Sequence, residues 1–135
     1  MSQTCKPRIL IVDDDPIIVE LLIIFLEIKG YEVFSVSDGA QAVGFLQERA
    51  PGSPVDLIML DLMMPVMDGL RFLHWLRTDA RLTLPVLALT GMNQPTDVQR
   101  AIGAGADAVL SKPLELQRIA MKLAELLNPG AGCRP

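Results

Sequence analysis

The chain has 135 residues, 50% of them hydrophobic and 21% charged, which suits one globular domain with a real core and excludes a disordered tail. Its formal net charge of -4 argues against a surface that tracks phosphate backbones, so direct contact with nucleic acid is not expected. The most apolar stretch, residues 17–28, is broken by Glu20 and Glu27 and is too short to span a bilayer.

The opening "MSQTCKPR" lacks the apolar segment of a signal peptide, so the expected location is cytoplasmic. Cys5 and Cys133 lie near opposite ends with no CxxC or histidine spacing. They read as free thiols of a reducing compartment, with a disulfide between them as the alternative.

In chain order, short aliphatic runs alternate with helix-period segments. Strands are predicted at 8–12, 32–36, 56–60, 86–90 and 108–111. Helices follow at 16–29, 40–49, 70–80, 95–104 and 115–127. Runs such as "ILIV" and "LIML" are apolar on both faces, as strands of a helix-covered parallel sheet must be. The pattern is an α/β (βα)5 unit: a doubly wound parallel five-stranded sheet whose site belongs at the carboxyl ends of the strands. Residues 8–127 form this domain, with an N-terminal tail at 1–7 and a Gly/Pro-rich tail at 128–135.

The first strand runs into Asp13, Asp14 and Asp15, in "ILIVDDDP". The third runs into Asp61, in "DLIMLDLMMPVMDG". In a 2-1-3-4-5 strand order these acids converge, and two carboxylates about 4 Å apart repel by roughly 4 kcal/mol at an effective dielectric near 20. A hard divalent cation such as Mg2+ removes that penalty. The fourth strand ends in "VLALTG" and the fifth in "LSKP", which bring the Thr90 hydroxyl and the Lys112 ammonium to the same edge. Both groups suit a phosphoryl oxygen, so the set describes phosphoryl transfer onto a carboxylate.

These four motifs, in this order and spacing, resemble the receiver domains of bacterial two-component response regulators, over about residues 8–127. The resemblance implies the flavodoxin-like receiver fold. It makes Asp61 the phosphoacceptor, supplied by the phosphohistidine of a sensor histidine kinase or a histidine phosphotransfer protein. It also implies Mg2+ held by Asp13, Asp14, Asp61 and the backbone carbonyl of Met63, with Thr90 and Lys112 on the phosphoryl oxygens. A cis peptide before Pro113 is typical of the family. A stand-alone regulator resembling those of chemotaxis is expected, signalling to an unknown protein target and not an enzyme beyond its own phosphorylation and dephosphorylation. The receiver portion of a longer protein is the alternative.

Other residues have plainer explanations. Asp15 before Pro16 reads as a helix N-cap, Asp68-Gly69 as a turn and cap, and Asp38-Gly39 as a turn. His74, in "FLHWL", is a helix-surface residue far from the strand ends. The scattered methionines fill core and loops. On the first helix Ile18, Leu21, Leu22 and Phe25 are predicted to face the core, with Glu20 and Glu27 outside. Ile23 and Ile24 then flank the acidic ridge near Val19. That is either an apolar helix edge or a surface on which a kinase helical bundle could dock or two receivers could pair as a homodimer.

The chain departs from the family at Val109, where many receivers carry an aromatic ring that swings behind the fourth-strand hydroxyl. Met63 and Met92 flank the expected approach of a hydrolytic water and cannot orient it strongly, since a thioether is a weak acceptor. A long-lived acyl phosphate is therefore expected. Two other functions compete. One is a receiver-like interaction module without phosphorylation. The other is a haloacid-dehalogenase-type phosphatase, which Asp13-x-Asp15 fits in form but which leaves Asp61 unexplained. A dinucleotide site is disfavoured, because "DDDP" stands where a Gly-rich phosphate cradle should be.

Overall fold

In the computed structural model the described residues are 6–48, 55–62, 69–91, 95–111, 113 and 115–127. Five parallel strands, β1 (Arg8–Val12), β2 (Glu32–Val36), β3 (Leu57–Asp61), β4 (Val86–Thr90) and β5 (Ala108–Ser111), form one sheet. Its order is β2-β1-β3-β4-β5, as the sequence predicts. The helices are α1 (Pro16–Ile28), α2 (Gly39–Glu48), α3 (Gly69–His74, continued by a π-helical turn over Trp75–Asp79), α4 (Pro95–Ala104) and α5 (Leu116–Leu127).

The period of two along each strand divides the core into two layers. Ile9, Ile11, Leu57, Met59, Leu87 and Leu89 pack with Leu22 and Leu26 of α1 and with Ile119 and Leu123 of α5. Leu10, Val12, Ile58, Leu60, Val86 and Ala88 pack with Ala42 and Leu46 of α2, Phe72 and Leu73 of α3, and Ala101 of α4. Every residue of β3 and β4 is buried, while the edge strands β2 and β5 are only partly so. The strands that carry Asp61 and Thr90 are thus the most tightly held.

Local chemistry sets the helix starts. Asp15 is the N-cap of α1, and its Oδ1 accepts hydrogen bonds from the backbone N–H of Ile17 (3.0 Å) and Ile18 (3.4 Å), with Pro16 in the first turn. This is the capping role read from the sequence. Asp38 starts α2 in the same way, its Oδ1 accepting from the Gln41 N–H at 2.8 Å.

Two expectations about the helices need correction. The predicted helix at 70–80 is helical but changes its winding after His74: Ala80 N–H reaches back five residues to the Trp75 carbonyl, and the Thr78 hydroxyl donates to the His74 carbonyl at 2.6 Å. On α1 the core side chains are Leu22 and Leu26. Leu21 is instead 50% exposed, and Ile23 packs against the core rather than flanking an outer ridge.

Candidate functional site

Asp13 follows β1 directly and Asp61 is the last residue of β3. The two strands are neighbours in the register Val12 to Leu60, so the next residue on each strand brings the two acids to the same level. Carboxylate oxygens of Asp13, Asp14 and Asp61 all lie within 4.8 Å of one another. Asp13 and Asp61 are each only 2% exposed, whereas Asp14 is open to solvent. At that spacing two ionised carboxylates repel by roughly 3 kcal/mol at an effective dielectric near 20. All-oxygen donors with one open side suit a small hard cation such as Mg2+ that keeps part of its own shell.

The backbone around this cluster is fixed. Asp13 N–H donates to the Val36 carbonyl at 3.2 Å, and Asp13 Oδ1 accepts from the Asp15 N–H at 2.9 Å. Leu62 N–H, one residue past Asp61, donates to the Leu89 carbonyl at 3.0 Å. Thr90 is buried at the end of β4, one residue beyond the Asp61–Leu89 pair. The structure therefore brings together four of the residues singled out in the sequence: Asp13, Asp14, Asp61 and Thr90. Lys112, Met63, Asp68 and Met92 lie outside the described residues, as do Cys5 and Cys133. His74 is exposed on α3, and Val109 packs against the core layer of α2, α3 and α4, opposite Ala88 of β4.

Two features were not anticipated. An open groove runs from Asp13 and Asp14 past Pro16 and Val19 to Ser37 and Gln41; no motif marks it, because it is made by the junction of β1 and β2. The second is the closeness of Gly69 to the backbone after Asp61.

The model of the response regulator receiver domain family matches residues 9–124. The chain belongs to that family. Among curated proteins it is 41% identical over 123 residues to the DNA-binding dual master transcriptional regulator RpaA of Synechocystis sp., a match covering 90% of this chain and 49% of that protein. The chain spans about half the length of the curated relatives it matches. Among solved structures it resembles the chemotaxis protein CheY4 of Vibrio cholerae, with TM-score 0.81, 29% identity and coverage of 90% of this chain and 99% of that one. The signal receiver domain of a signal transduction histidine kinase from Syntrophus aciditrophicus matches with TM-score 0.77 and 40% identity, over 90% and 89% of the two chains. This receiver domain thus has relatives in several kinds of two-component protein. Among its described residues no helix is long and apolar enough to cross a membrane.

Proposed function

We propose that this receiver accepts a phosphoryl group on Asp61 from the phosphohistidine of a sensor kinase or histidine phosphotransfer protein. An Asp61 carboxylate oxygen bonds to phosphorus as the N–P bond of the donor breaks, and the departing imidazole retains the bonding pair and takes a proton. Thr90 and Lys112 hold the phosphoryl oxygens. Asp13, Asp14, Asp61 and the Met63 carbonyl would hold Mg2+, which supplies charge neutralisation between the carboxylates and the incoming phosphoryl group. The carrying observation is the convergence of two buried carboxylates and one exposed carboxylate within 4.8 Å at the carboxyl edge of the sheet.

The donor's docking surface is the outer face of α1. Ile17 (79% exposed), Leu21, Ile24 (53%) and Ile28 (78%) share a roughly 60° arc of the helical wheel, opposite the core-facing Leu22 and Leu26. A helix apolar on its outer as well as its inner face is normally covered, and this one starts at the acidic edge. Glu20 and Glu27 flank the stripe on one side, so a helical partner with an apolar ridge and basic neighbours complements it. The signal then leaves through protein contact, to a domain on the same chain or to a separate target. The DNA binding in the name of RpaA belongs to that protein; for these 135 residues we propose no nucleic-acid contact and a cytoplasmic setting.

The test is intact mass after incubation with Mg2+ and acetyl phosphate. One added phosphoryl group that is lost in Asp61→Asn supports the reading, and the same gain in the variant removes it.

A further inference from the structure

We infer that Gly69 is a positioning residue for Asp61, required because its missing side chain lets the first turn of α3 rest directly on the backbone of the phosphoacceptor. The inference rests on the reading of Asp61 given above.

A β-carbon placed on Gly69 would lie 2.8 Å from the Asp61 carbonyl oxygen, 2.7 Å from Leu62 Cα and 2.9 Å from Leu62 Cδ2. Non-bonded carbon contacts are optimal near 3.5–4.0 Å, so something has to move. Two of the three obstacles are backbone and cannot swing aside as a side chain can. Conformational freedom is not the reason for glycine here. The glycines with positive φ among the described residues are Gly30 and Gly105, and Gly69 has a backbone that any residue adopts. The requirement is space.

Neither wall of this contact gives easily. Behind it, β3 is buried along its whole length and hydrogen-bonded to β1 and β4 on its two sides. The peptide after Asp61 is further tied to β4 through Leu62 N–H and the Leu89 carbonyl. In front, α3 is anchored by the buried Phe72 and Leu73, and Gly69 N–H donates to the Leu62 carbonyl at 3.4 Å. Caught between them is the Asp61–Leu62 peptide, whose carbonyl oxygen and following Cα are the backbone atoms the new β-carbon would meet. Displacing that peptide reorients the Cα–Cβ bond of Asp61 and so disturbs the spacing of its carboxylate from Asp13 and Asp14. Gly69 therefore acts on the acidic cluster from outside it, through backbone alone.

The experiment compares Gly69→Ala with Gly44→Ala, whose added β-carbon on α2 meets nothing within 4 Å. Mg2+ affinity is read from the Mg2+ dependence of the thermal midpoint, and phosphorylation by acetyl phosphate from intact mass. Loss of an outer-shell support typically weakens metal binding about tenfold to hundredfold, and that is the loss expected for Gly69→Ala, with Gly44→Ala within twofold of the parent. Adding Leu62→Ala to Gly69→Ala removes only the side-chain obstacle and is expected not to restore affinity. Parent-like affinity in Gly69→Ala, or rescue by Leu62→Ala, overturns the inference and leaves the reading of Asp61 intact. A parent protein that neither binds Mg2+ nor gains a phosphoryl group overturns both. If Gly69→Ala does not fold, amide exchange on the parent decides: slowing at the Gly69 N–H on Mg2+ addition, without slowing at Gly44, supports the coupling, and no difference between the two overturns it.

Discussion

The guanidinium of Arg77 grips the carbonyl of Gly105 with two nitrogens, Nε at 3.1 Å and an Nη at 2.9 Å. The same group donates to the carbonyls of Leu82 (2.7 Å) and Leu84 (2.8 Å) and pairs with Asp107 at 3.0 Å. Asp107 in turn accepts from the Val86 N–H at 2.8 Å. At the edge of the sheet opposite the acids, one side chain thus joins the π-helical turn, the C-terminus of α4 and the first residue of β4.

Arg77→Lys is expected to destabilise the fold by about 1–3 kcal/mol, because a lysine ammonium cannot reproduce a planar fork satisfying several carbonyls at once. Gly105→Ala is expected to cost at least about 1 kcal/mol. Its φ of +119° disfavours an L side chain, and the new β-carbon would lie 2.6 Å from Arg77 Cγ. Urea midpoints at constant m-value test both, and unchanged midpoints would contradict the clamp.

The exposed stripe of α1 gives a prediction about donor choice. Leu21→Lys and Ile24→Lys place charge on the outer face, away from the core, so the urea midpoint should move by no more than about 0.5 kcal/mol in stability. Phosphotransfer from a histidine donor protein should slow severalfold while acetyl phosphate works as before. Equal slowing with both donors would locate the effect in the site and not in docking. Ile23→Lys is the contrasting variant: its side chain packs on the core, and it should lose stability outright.

The strands and the acidic edge were legible in the sequence because aliphatic runs ending in aspartate have few other uses. The third strand extends one residue further than read, over Leu57–Asp61, since a carboxylate at the end of a run looks like loop. Asp56 instead precedes the strand, its Oδ2 accepting from the Arg8 N–H at 2.7 Å. Placing the core stripe of α1 over Leu21 failed for a physical reason: Glu20 and Glu27 are the only charged residues of α1 and make too narrow a polar face to fix its rotation. The π-helical turn after His74 was not legible because it spans only the five residues Trp75–Asp79 at the end of the helix, too few for a change of period to show. The crowding at Gly69 depends on where α3 meets β3, which no local pattern encodes.

Asp15 separates capping from metal binding. Asp15→Ala should cost about 1 kcal/mol, the usual loss on removing an N-cap oxygen, and should leave Mg2+ affinity within twofold. The hydrogen bond from this residue to Asp13 is made by its backbone N–H and survives the substitution. Calorimetric or fluorescence titration with Mg2+ checks the second half, and a tenfold loss of affinity would put Asp15 among the ligands.

The closeness of Asp13 and Asp61 predicts that the two share one cation. Mg2+ at about a hundred times its dissociation constant stabilises the parent by roughly 2.7 kcal/mol, and Asp13→Asn, short of one anionic ligand, should gain much less. Thermal melts of both proteins in EDTA and across a Mg2+ series should therefore diverge as Mg2+ rises. Parallel melts at every Mg2+ concentration would show that the two carboxylates do not share a cation.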